Sequence, residues 1–96
     1  MPKAYWIARV DVHDPEGYRD YVAAATLALA PFGPRYLALG GTVGAVEGAG
    51  RASNVVIEFE SLKAAVECFH SAAYQAAVPI RQKYSDGEIV IVEGVE

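Results

Sequence analysis

The chain has few of the residues that staple, ligate or span. Its 96 residues include one cysteine, Cys68, one methionine and two histidines, His13 and His70. A lone cysteine excludes an internal disulfide framework and any metal site built from several thiolates. It fits a reducing compartment. No stretch approaches the ~18 consecutive apolar residues of a membrane span. Met1-Pro2-Lys3-Ala4-Tyr5 lacks the apolar region and small-residue cleavage site of a signal peptide. The expectation is a soluble cytoplasmic protein with no membrane partner. Basic charge is scarce too. Eight Lys and Arg against twelve Asp and Glu leave a net charge of −4. With no basic run, nucleic acid is not an expected partner. The glycines form no Gly-x-x-x-x-Gly-Lys phosphate loop, and no His or Cys spacing suits a metal or haem. No cofactor is expected.

What remains is 53% hydrophobic and 21% charged, the composition of a folded globular chain. The length suits one domain over residues 1–96, with a core that association would reinforce.

Residues 4–12 read as a strand. Trp6, Ala8, Val10 and Val12 form an apolar face; Tyr5, Ile7, Arg9 and Asp11 form a mixed one. Asp14-Pro15 opens a helix, with Tyr18, Tyr21, Val22, Ala25 and Leu29 at helical spacing and an end near Pro31. Residues 35–39 begin a second strand. It is expected to bend at Gly40-Gly41 and continue through 42–47 before a turn at 48–50. A third strand spans 54–60, with Val55, Ile57 and Phe59 on one face and Val56 and Glu58 on the other. Ser61 caps a helix carrying Leu62, Ala65, Val66 and Phe69. Ser71 caps a shorter piece that Pro79 should bend or end. Asp86-Gly87 reads as a turn before a last strand at 88–93.

The order β-α-β-β-α-β predicts an α+β, ferredoxin-like sandwich. Its antiparallel sheet has the order 4-1-3-2 and both helices on one face. Strands one and three are expected to be central and mutually parallel. The face away from the helices carries Tyr5, Ile7 and Val56, with Val90 and Val92 or Ile89 and Ile91. That is too apolar to stay wet. The expected answer is a homodimer, two sheets pairing face to face into a dimeric α/β barrel.

Three segments carry a resemblance: Tyr5-Trp6-Ile7-Ala8-Arg9-Val10 leading to Asp14-Pro15; Asn54-Val55-Val56-Ile57-Glu58-Phe59-Glu60-Ser61; and Ser71-Ala72-Ala73-Tyr74-Gln75 with Arg81 beyond. Over nearly its whole length the chain resembles the bacterial domain-of-unknown-function family numbered 1330, although Glu60 stands where that family commonly has proline. The resemblance implies the same dimeric α/β barrel. Superfamily relatives include antibiotic-biosynthesis-type monooxygenases, muconolactone-isomerase-like enzymes, stress-responsive barrel proteins and haem-using chlorite-dismutase-like proteins.

Candidate ligand-binding residues are Arg9, Glu58, Tyr5, Tyr74 and Arg81. A parallel register would set Arg9 beside Glu58, either as a cleft pair orienting an anion or carbonyl, or as a structural ion pair. The Tyr74 hydroxyl and Arg81 guanidinium together suit a carboxylate; alternatively Tyr74 packs and Arg81 is a surface residue. Tyr18 and Tyr21 sit on the helix's apolar stripe, where their hydroxyls can reach a pocket between helix and sheet. Trp6 fills the core or walls that pocket. His13 and His70 stand at element boundaries, and Cys68 lies off the apolar stripe with no activating neighbour in sequence. Two functions lead: a metal-free enzyme acting on a small organic molecule in a cleft of each subunit, or a non-catalytic homodimer that binds a metabolite or a protein; a haem protein using His13 or His70 is a third reading.

Overall fold

Alternation at residues 4–12 does form a strand. In the computed structural model, which describes residues 2–96, β1 runs Ala4–Val12 and turns Ala4, Trp6 and Val10 into the core. Asp14 caps α1 (Pro15–Leu29): its Oδ1 accepts from the Gly17 amide at 3.2 Å, and Pro15 takes the first turn, where no amide is missed. A 3₁₀ turn at Ala30–Phe32 closes on Gly33, at φ 63°, the left-handed stop that glycine adopts without strain. β2 is Arg35–Leu39 and β3 is Ser53–Phe59. Ser61 caps α2 (Leu62–His70), and Ser71 caps α3 (Ala72–Tyr84) by accepting from the Tyr74 amide at 3.2 Å. β4 is Ser85–Glu93.

The sheet order is β2-β3-β1-β4, as expected, and every neighbouring pair is antiparallel. The expectation that β1 and β3 run parallel is wrong. A strand–helix–strand crossover sets β1 and β2 in one direction and leaves a gap between them. β3 fills that gap and runs against both. The helices cover one face, and Trp6 is the hub beneath them. Its ring lies 4.9 Å from Tyr74, 5.3 Å from Phe59 and 5.8 Å from Phe69. Its indole N–H donates to the Ala65 carbonyl at 3.0 Å, so the one polar atom of this buried side chain is satisfied. Cys68, expected off the stripe, is fully buried in the same cluster.

Four local expectations also change. β2 stops at Leu39, and residues 40–52 carry no regular structure. Their glycines weaken a strand, and Gly40 and Gly48 take positive φ. The irregularity in the ladder falls earlier, between Tyr36 and Ala38. Pro79 does not end α3, which continues to Tyr84. The carbonyl it deprives of a donor belongs to Gln75, an exposed residue. Asp86-Gly87 is not a turn but part of β4, opposite Val10 and Asp11. Gly87 is needed there, since a Cβ would meet the Arg9 carbonyl.

The face away from the helices is open. Tyr5, Ile7 and Val56 are partly exposed along its centre, and Val90 and Val92 are 53% and 45% exposed at the β4 side.

Candidate functional site

Three-residue spacing puts Tyr18 and Tyr21 on the inner side of α1, their rings 5.2 Å apart. Between this stripe and the sheet the packing leaves a cavity of about 190 Å³. Trp6, Leu29 and Ile57, all buried, contribute to its floor. Val22 and Thr26 of α1, with Tyr36, Leu39 and Gly40 from the β2 edge, are exposed and frame its mouth. Val10, Val55 and Ile89 complete apolar walls, and Ser53 adds a hydroxyl.

One charged residue lines this cavity, Arg81 from the last turn of α3. Among the described residues no carboxylate lies within ion-pair distance of it, and its buried Nε has no hydrogen-bond partner. Tyr21 donates to or accepts from the Tyr74 hydroxyl at 2.8 Å. Burial pushes the Tyr21 hydroxyl far above the usual tyrosine range, and the neighbouring Tyr74 adds to the shift. Burial raises Tyr18 as well, with Arg81 pulling the other way, and Tyr36 is also raised by burial. These hydroxyls therefore remain protonated donors at neutral pH. The cavity lining contains no carboxylate and no imidazole. Its chemistry is that of one cation and several neutral hydroxyls in an apolar chamber.

Tyr74 and Arg81, paired by expectation, do not share this chamber. Tyr74 is fully buried against Trp6 and reaches the cavity only through the Tyr21 hydroxyl, whereas Arg81 lines it directly. Arg9, Glu58 and Tyr5 lie on the other face of the sheet. Arg9 and Glu58 are not a pair. The antiparallel register sets Arg9 opposite Asn54 and Glu88, and Glu58 opposite Tyr5 and Arg35. Four residues of strand, about 13 Å, separate the two positions. Arg9 instead donates to the Ala49 carbonyl at 3.4 Å. Glu58 accepts from the Tyr5 hydroxyl at 3.3 Å and from Arg35 at 3.4 Å. Arg51, not singled out in the sequence, ties the end of the 40–52 segment to the sheet: it bonds Asp11 at 2.8 Å and Glu88 at 2.7 Å.

The model of the family described as domain of unknown function DUF1330 matches residues 3–95. The chain belongs to that family. Among solved structures, this DUF1330 domain is similar to a protein of unknown function from Rhodopseudomonas palustris, with a TM-score of 0.78 at 16% identity over 99% of this chain and 84% of that one. It is similar to SnoaB, a cofactor-independent oxygenase from Streptomyces nogalater, with a TM-score of 0.70 at 10% identity over 100% and 96%. A dimeric ferredoxin-like protein of unknown function from Thermobifida fusca gives 0.66 at 19% identity over 96% and 91%. At these identities the likeness is one of fold. No curated protein matches in sequence.

In this DUF1330 domain the remaining expected groups stand apart from the cavity. His13 is exposed, 3.9 Å from Asp86, and His70 is exposed at the end of α2. Burial raises the Cys68 thiol to about 11, so it is a core residue and no nucleophile. Among the described residues no group of three or more His, Cys, Asp or Glu could hold a metal, and no helix is long and apolar enough to cross a membrane. Tyr36, Ser53 and Leu39 were not assigned to a pocket from the sequence. Position on an edge strand, its ladder interrupted at residue 37, conceals which way β2 side chains face.

Proposed function

We propose that this DUF1330 protein takes up one small, largely apolar organic molecule per subunit in the cavity between α1 and the sheet. The observation that carries this reading is the chamber itself. It is lined by apolar side chains and tyrosine rings, fitted with a few hydroxyls, and open past the β2 edge. Its size supports a single-ring ligand, since apolar cavities of ~150 Å³ take up benzene. Pairing of two subunits through the open sheet faces belongs to the same reading, supported by the half-exposed Val90 and Val92. With no carboxylate or imidazole in the chamber, the protein's part is to bind, orient and hydrogen-bond its guest rather than to abstract a proton from it.

Titration with toluene and phenol tests the proposal. Amide shifts of Ala25, Val55 and Ile89, and the fluorescence of Trp6, should respond saturably. Ala25→Phe, which fills the cavity from α1, should abolish the response while leaving the fold intact. Binding that survives Ala25→Phe, or shifts confined to other residues, would refute the reading. Turnover of a bound phenol in air without added metal would place the protein among metal-free enzymes; unchanged recovery would make it a binding module.

A further inference from the structure

We infer that the guest of this cavity is an anion, and that Arg81 is the residue that selects it. The inference rests on the cavity reading above and specifies the class of ligand: a compact carboxylate, or an equivalent oxyanion, on a single ring or a short apolar body. Three observations carry it. First, Arg81 is the one charged side chain in the lining, and none of the ion pairs among the described residues includes it. The chamber thus carries a positive charge with no acidic partner, on a side chain that is itself partly buried. Second, its Nε is buried and bonded to nothing, although nearly all buried polar atoms in folded proteins find partners. A planar guanidinium left without an acidic partner matches the forked geometry of a carboxylate. Third, the other cations of the sheet region are paired or stand on the far face: Arg35 is paired with Glu58, Arg51 with Asp11 and Glu88, and Lys3 with Glu60, while Arg9 lies on the face away from the cavity and donates to the Ala49 carbonyl.

Tyr18 supplies the second feature of the subsite. It lines the same chamber, and its hydroxyl is close enough to Arg81 for the guanidinium to offset part of the rise caused by burial. The phenol O–H and the guanidinium can both donate to one oxyanion, whose charge also balances the guanidinium. A neutral amide accepts from them without balancing that charge, and a cation is repelled by it. The apolar walls then receive the body of the molecule, so neither a bare inorganic anion nor a neutral hydrocarbon uses the whole site.

Benzoate and benzamide provide a matched pair of probes, similar in shape and differing in charge. By amide-shift titration benzoate should bind at least about tenfold more tightly than benzamide, the margin that one charge-assisted hydrogen bond supplies. Added salt should weaken benzoate only. Arg81→Gln should erase the preference while benzamide still shifts the cavity amides, which shows that the cavity is intact. Arg81→Lys should restore part of it. Equal binding of the two probes to the wild type would overturn the assignment of an anion and leave the cavity standing. Loss of both ligands together in Arg81→Gln would show that Arg81 is structural and likewise overturn it. If neither probe shifts cavity residues while toluene does, this inference falls and the cavity reading stands; if toluene fails as well, both fall.

Discussion

Tyr21 and Tyr74 bring their hydroxyl oxygens to 2.8 Å, joining the inner stripe of α1 to the first turn of α3. Tyr74 is fully buried, and Tyr21 is the only side-chain partner that its hydroxyl has among the described residues. The pair thus serves the core on one side and the cavity wall on the other.

Tyr21→Phe should cost about 1–3 kcal/mol, because the Tyr74 hydroxyl is left buried without a partner. Adding Tyr74→Phe should recover part of that loss, since both polar groups are then gone. Urea unfolding of the two single variants and the double variant measures the coupling. Strict additivity would show that the bond contributes nothing.

Ile57 and Phe59 face the helices at 6% and 1% exposure. Ile57→Asp and Phe59→Asp should each prevent cooperative folding, because a carboxylate buried at these positions loses its water. Circular dichroism during thermal unfolding checks this. Val56→Asp, on the opposite face of the same strand, should still fold.

Sedimentation velocity at micromolar concentration should give a dimer for the wild type. Val90→Glu should shift it to a folded monomer, because Val90 is half-exposed within a subunit and lies on the face assigned to pairing. A wild type that sediments as a monomer would remove the basis for that assignment.

Stability should fall as the pH rises through the window set by Cys68. Its thiol is raised from 9.0 to about 11 by burial. Between these values the unfolded chain releases the proton while the folded chain keeps it, so the native state loses ground with each step upward. Below the lower value Cys68 contributes no pH dependence. Urea midpoints followed across the window should decline less steeply in Cys68→Ala. The decline that remains belongs to the buried tyrosines, whose raised hydroxyls act with the same sign.

Most of the fold is legible in local pattern. Period-two alternation marks β1 and β3, helical spacing marks α1 and α2, and Asp14, Ser61 and Ser71 cap as their side chains predict. The order of elements then leads to the sheet order, and Trp6 and Phe59 to the core. Each of these signals acts within a few residues along the chain. Local pattern was also enough to place Tyr18 and Tyr21 on the face of α1 that meets the sheet.

Strand direction, and everything that depends on it, was decided in three dimensions. Alternation assigns a side chain to a face but is blind to which way the neighbouring strand runs. Reversing β3 therefore left every face correct and moved Glu58 from Arg9 to Tyr5 and Arg35. Arg81 shows the same division: its position in the chain suggests a surface residue as readily as a ligand-binding one. Only the packing of α1 and α3 over the sheet leaves a chamber there, and only that packing shuts out the carboxylates that would otherwise neutralise it. Periodicity measures burial one element at a time, whereas a cavity is the space that several elements together fail to fill.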